Sequence, residues 1–96
     1  MKILFHQLAT IELLDTIDFY DYQSPGLGLA FKKEFFEALD FIQLFPNGWQ
    51  KVGPHTRKCV LKKFPYVIMY IADGEQLFIS AVAHQHRHPR SYLNRK

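Results

Sequence analysis

The sequence predicts a single α+β domain spanning residues 1–96, ordered β-α-α-β-β-β, with a helical hairpin packed on one face of a mainly antiparallel sheet. Three observations predict it. Two segments in the first half carry apolar residues at helical spacing, separated by a Pro-Gly break. Three β-prone runs occupy the second half, the last two joined across Asp73-Gly74. The chain has 96 residues, 48% of them hydrophobic, which suffices for one core and not for two. No apolar run approaches the length of a membrane span. The apolar start is too short for a signal peptide and is broken by His6 and Gln7. A lone cysteine, Cys59, suits a reducing compartment and reads as a small buried hydrophobe in a strand. A cytoplasmic location, with no membrane contact, is the expectation.

Lys2 to Phe5 is a short, mostly apolar first strand. Ala9, Leu13, Ile17 and Tyr20 then form one helical stripe, predicting a helix from about Leu8 to about Tyr22. Glu12, Asp15 and Asp18 are expected largely on its other side. Ser24-Pro25-Gly26 interrupts the periodicity, because proline cannot continue a helix and pushes its predecessor out of helical geometry. Ser24 is a candidate cap for the next helix. That second helix runs from about Leu27 to Phe45 on a stripe of Phe31, Phe35, Ala38, Ile42 and Phe45. Pro46-Asn47-Gly48 stops it. Trp49 to Thr56 has no period and reads as loop with room for a short strand. Arg57–Phe64, Tyr66–Ile71 and Leu77–Ala83 are the remaining strands, with Pro65 at a tolerated strand start. Two amphipathic helices on a short connection make an antiparallel hairpin, and only a sheet can cover their aromatic stripes.

Charge is divided along the chain. Residues 1–50 hold three lysines against seven acids, a net −4; residues 51–96 hold nine basic residues against two acids, a net +7. Such asymmetry points to one surface made for polyanions or acidic proteins. The stretch Leu77 to Tyr92 concentrates it: a core strand that ends in His84, His86, Arg87, His88 and Arg90, closed by an aromatic. A strand that delivers cations to one sheet edge is the expected working part.

Several landmarks then line up. They are Ala9 and its helix; Pro25-Gly26-Leu27-Gly28 with Phe31; and Pro46. Arg57, Leu61, Phe64-Pro65-Tyr66 and Tyr70 come next, and then Val82-Ala83-His84-x-x-Arg87-x-Pro89. In order and spacing the chain resembles the RelE/ParE superfamily of toxins from bacterial type II toxin–antitoxin systems, nearest its plasmid-stabilisation, ParE-like branch. Ser91-Tyr92 stand where that branch often has Tyr-Trp, and Lys58, Lys62 and Lys63 give a basic strand. The resemblance implies a growth-inhibiting toxin held inactive by a cognate antitoxin. The antitoxin would contribute a partly disordered acidic segment, within a toxin–antitoxin assembly that can be of higher order. Two targets stay open: DNA gyrase, poisoned by docking, or ribosome-bound mRNA, cut by a metal-free endoribonuclease. An inactive homologue that only binds its antitoxin is a third reading.

The residues supply parts for either activity. RNA cleavage needs a base, an acid and charge on the phosphate. Arg57, His84, Arg87 and Tyr92 are the candidate catalytic set if the protein is a nuclease. Arg57 and His84 have equally natural structural roles, as an internal anchor and as a donor to a neighbouring carbonyl or tyrosine. Arg87 lies among cations with no acid close in sequence. Lys62, Lys63, His86, His88, Arg90 and Arg95 are the candidate binding residues. If the last strand persisted, His84, His86 and His88 would share one face. That spacing raises zinc, but a fourth ligand is missing, since His55 is remote and no suitable acid is obvious. No metal and no cofactor is expected.

Overall fold

The computed structural model describes residues 1–88 and 92–95. Its elements are β1 (Lys2–Phe5), α1 (Gln7–Gln23), α2 (Leu27–Leu44), β2 (Gln50–Lys51), β3 (Arg57–Val60), β4 (Tyr66–Asp73) and β5 (Gln76–His84). One five-stranded sheet has the order β1-β5-β4-β3-β2. β1 runs parallel to β5, and the other neighbours are antiparallel. The predicted α+β arrangement is the one observed, with β2 as an added short edge strand.

Local chemistry sets the helix ends. His6 Nδ1 accepts from the Leu8 amide at 3.0 Å and caps α1. Ala9, Leu13, Ile17 and Tyr20 do face the core. The start of α2 is capped by Asp21, not by Ser24: its Oδ1 accepts from the amides of Gly26 at 3.0 Å and Gly28 at 3.1 Å. A carboxylate there meets both unpaired donors and the positive end of the helix. Gly26 takes φ 91°, a conformation that favours glycine. In α2, Phe31, Phe35, Leu39 and Ile42 are buried, whereas Phe45 lies past the helix end and is exposed.

The helices cover one sheet face. Phe31, Phe35 and Ile42 pack with Ile68, Tyr70, Leu77, Ile79 and Val82 in the main core. A smaller cluster of Val67, Met69, Ala81, Ala83 and Tyr92 lies on the other face. The β4–β5 hairpin turns on Gly74 at φ 59° and Glu75, with Asp73 still paired to Gln76. Tyr70 pairs with Ile79 and Met69 with Ala81, so Ser80 is an extra residue, a bulge. Its hydroxyl donates to the Met69 carbonyl at 3.2 Å. The bulge reverses the alternation: Leu77 and Ile79 face the helices before it, and Val82 does after it.

β3 stops at Val60, short of the predicted Phe64. Glu34 of α2 accounts for this. Its carboxylate accepts from the amides of Lys62 at 2.8 Å and Lys63 at 3.1 Å, drawing that segment off the sheet. No helix among the described residues is long and apolar enough to cross a membrane.

The two helices approach tightly at Gly28, where a Cβ would lie 2.4 Å from the Ile17 carbonyl oxygen and 2.9 Å from Asp21 Cβ. Gly28→Ala therefore forces the hairpin open. It is expected to lower the thermal midpoint by roughly 8–16 °C, for about 2 kcal/mol of overpacking. Gly53→Ala, whose Cβ would meet nothing nearer than 3.6 Å, is expected to be near neutral. Equal midpoints in the two variants would contradict this packing.

Candidate functional site

Two segments meet at one end of the sheet. Tyr66 pairs with His84, and the Gln85 amide donates to the Pro65 carbonyl at 2.8 Å. The β3–β4 loop, with Lys62 and Lys63, therefore lies beside the exit of β5, with His84, His86, Arg87 and His88. These lysines, histidines and Arg87 form a basic rim. Arg90, a predicted member, and Pro89 lie outside the described residues.

The Ser80 bulge sets the rim's orientation. It brings His84 onto the helix side, where its ring meets Tyr66 edge-on at 5.4 Å between centroids. β5 ends at His84, and the chain then turns, with the Arg87 amide donating to the His84 carbonyl at 2.9 Å. His84, His86 and His88 consequently do not share a strand face. His86 folds back over His84 with ring centroids 5.2 Å apart. Its amide donates to His84 Nδ1 at 3.2 Å, which assigns the proton of a neutral His84 to Nε2. Among the described residues no group of three or more His, Cys, Asp or Glu is placed to hold a metal ion.

The organising residue of this region is Glu12, expected from the sequence on the outer side of α1. It turns instead toward β5. Arg95 grips it in a two-pronged pair, with guanidinium nitrogens 2.7 Å from Oε1 and 2.9 Å from Oε2. Arg87 also donates to Oε2, and the Val82 amide donates to Oε1 at 3.1 Å. Arg95 reaches the Ser80 carbonyl as well, at 3.1 Å. The Arg95 side chain is 8% exposed, that of Glu12 16% and that of Arg87 36%. Arg95 Nε is buried with no hydrogen-bond partner among the described residues, a cost that the paired nitrogens offset. Burial opposes the charge on Glu12. The hydrogen bonds from Arg95, Val82 and Arg87 outweigh it and hold the carboxyl below its ordinary range. One carboxylate serves two guanidiniums, so the triad keeps surplus positive charge, and its exposed member is Arg87.

The remaining predicted residues are dispersed. Arg57 sits at the far end of β3 from the rim and donates to the Trp49 carbonyl at 2.7 Å. Tyr92 is buried against the sheet face opposite the helices, with the Arg87 guanidinium 6.0 Å from its ring centroid. Burial pushes its phenol upward, against the pull of Arg87. Tyr70 donates to the Pro46 carbonyl at 2.7 Å, and burial pushes its phenol up to about 12. Cys59 is buried in the core, and burial pushes its thiol up to about 11, far from a reactive thiolate.

A second feature adjoins the rim. β2 pairs only with Arg57 and Lys58, so among the described residues no strand pairs with the outer edge of β3 from Cys59 onward. Between that edge and α2 runs a groove of about 750 Å³. Ala38, Phe41, Val60 and Leu61 contribute to its apolar lining, Lys33, Lys62 and Lys63 are its cations, and Glu34, already engaged by the Lys62 and Lys63 amides, and Glu37 are its acids.

Known proteins share this architecture. The sequence model of the family described as "ParE toxin of type II toxin-antitoxin system, parDE" matches residues 3–89. No curated protein matches the sequence. Among solved structures, a chain described as "Chromosomal ParDE TA system from P. aeruginosa" superposes with a TM-score of 0.75 at 19% identity. The match covers 88% of this chain and 95% of that one, a likeness of fold.

Removing the Glu12 charge leaves Arg95 buried beside a neutral partner. Glu12→Gln is expected to lower unfolding stability by about 3 kcal/mol, read from urea titration. The pH dependence has a definite sign. A carboxyl lowered by folding stabilises fully above its ordinary pKa of 4.5, and loses that contribution as pH falls through the lowered value. The wild-type stability should therefore fall more steeply than that of Glu12→Gln below roughly pH 4.5. Parallel profiles would contradict the assignment.

Proposed function

The chain belongs to the ParE toxin family of type II toxin–antitoxin systems, and on that premise we propose that it arrests growth by docking on DNA gyrase. It breaks no covalent bond itself, and a cognate antitoxin neutralises it. The single observation that carries docking over RNA cleavage is the dispersal of the would-be catalytic set. Arg57 is engaged at the far end of β3, Tyr92 lies in the core of the opposite sheet face, and Arg87 is held on Glu12. A phosphate at the rim would meet Arg87 and the histidines but not Arg57, and Tyr92, though beside Arg87, is buried. Gyrase is a cytoplasmic target, which would place the action there.

The groove beside α2 suits the antitoxin. An acidic segment with apolar side chains, lying extended along the open edge of β3, would satisfy that edge's backbone groups. It would also cover Phe41 and Val60 and set its carboxylates against Lys33, Lys62 and Lys63. Ordering a disordered segment on a preformed groove suits a reversible inhibitor.

Two measurements test these readings. Purified protein is expected to block gyrase supercoiling while mRNA in a translating extract stays whole; mRNA cut in the ribosomal A site with supercoiling unaffected would reverse the choice of target. Separately, Lys62→Glu/Lys63→Glu is expected to weaken antitoxin binding at low salt by about tenfold or more and to flatten its salt dependence. Unchanged affinity and salt slope would remove the groove from the contact.

A further inference from the structure

α1 is apolar on two sides, and the fold uses one. Ala9, Leu13, Ile17 and Tyr20 face the core. Leu8, Ile11, Leu14, Phe19 and Tyr22 are all exposed, Tyr22 to 93%. The outward set is ordered. Leu8, Ile11, Asp15, Asp18 and Tyr22 are separated by steps of three, four, three and four, which places them along one line of the helix. Leu14 and Phe19 flank that line. Two aspartates thus sit in the middle of an apolar stripe.

Nothing within the described residues uses those aspartates. Neither forms an ion pair there, and α1 contains no lysine or arginine from Gln7 to Gln23. The other two acids of the helix are engaged internally, Glu12 by the arginines and Asp21 at the start of α2. A solvated helix face would carry mixed charges and few large apolar groups. This one presents an anionic centre in an apolar surround.

We propose that this outer face of α1 is a docking surface for the toxin's protein target, which would present a lysine or arginine flanked by apolar side chains. The inference rests on the proposal that the toxin acts by docking. Charge selects that occupant over two others. A second copy docked through α1 on a twofold axis would set Asp15 and Asp18 against the same aspartates, a like-charge contact. The acidic segment proposed for the antitoxin would be repelled for the same reason. The two surfaces are also separate: α1 lies over β5, while the groove lies between α2 and β3.

The test uses the full chain expressed with and without its antitoxin, and the purified protein with gyrase holoenzyme. Asp15→Lys/Asp18→Lys is expected to reduce growth arrest and gyrase inhibition by at least about tenfold. Its thermal midpoint and its binding of the antitoxin should match the wild type. Asp73→Lys/Glu75→Lys makes the same change in net charge at the exposed β4–β5 turn, and full arrest is expected to persist. Ile11→Ser/Leu14→Ser should weaken arrest at unchanged charge. Arrest by Asp15→Lys/Asp18→Lys at wild-type strength would overturn the inference. So would concentration-dependent self-association of the wild type that the same variant abolishes, since the occupant would then be a second copy. A wild type that arrests growth without touching gyrase would remove gyrase as the target, and the variant's growth phenotype would still judge the α1 face. A wild type that arrests nothing would overturn both.

Discussion

The unequal lengths of β1 and β5 create a gap that one carboxylate closes. β1 ends opposite Ile79, and β5 continues to His84 with no strand on that flank among the described residues. The backbone groups left there face a poorly hydrated side of the sheet, where unpaired polar atoms are costly. Glu12 accepts from the Val82 amide, and Arg95 donates to the Ser80 carbonyl. The bidentate pair between them occupies the place of a missing strand. It also joins α1, the bulge of β5 and the C-terminal segment into one unit. Since breaking a half-buried ion pair strands the remaining charge, this closure is hard to undo piecemeal.

The bulge at Ser80 lies within that closure, its carbonyl accepting from Arg95, and it re-aims the strand beyond it. Continued alternation from Leu77 would send Val82 and His84 to the face opposite the helices. The extra residue instead keeps Val82 in the main core and brings His84 beside Tyr66. Bulges re-aim side chains where strands end near working surfaces. The β5 part of the rim is therefore oriented by a fold-level device, and it lies at the same end of the sheet as the Lys62–Lys63 loop that Glu34 draws toward α2.

Features that depend on sequence neighbours were legible before the fold was known. Helix spacing located α1 and α2 to within a residue at each end, because amphipathic periodicity is a local property. The Gly74 turn and the α+β class were legible for the same reason. The misses involve partners outside the local helical or strand period. Glu12 meets arginines 75 and 83 residues away, so it read as an outer-face acid. A signal was present: Glu12 lies three residues after Ala9 and four before Thr16, both buried. The early end of β3 needed Glu34, and the capping of α2 needed Asp21 rather than the nearer Ser24. Of the predicted site residues, Lys62, Lys63, His84, His86, Arg87 and His88 share one end of the sheet; Arg95 and Tyr92 are buried beside Arg87, on Glu12 and under its guanidinium, and Arg57 is engaged at the far end of β3.

Charge asymmetry in the sequence therefore does not map directly onto charged surfaces. Three of the seven acids in the first half work inside the fold: Glu12 on two arginines and an amide, Asp21 on two amides and Glu34 on two more. Each engaged carboxylate satisfies backbone donors that the chain's turns leave open, which is a structural role. What remains for partners is sorted by geometry. Arg87 stays at the rim as the cation that Glu12 cannot fully neutralise. Lys33, Lys62 and Lys63 border an apolar groove on one flank of the hairpin, and Asp15 and Asp18 stand in an apolar stripe on the other. If both proposed surfaces serve recognition, a small chain carries them on opposite flanks of a two-helix layer, and each would combine an apolar area for affinity with charge for the choice of partner.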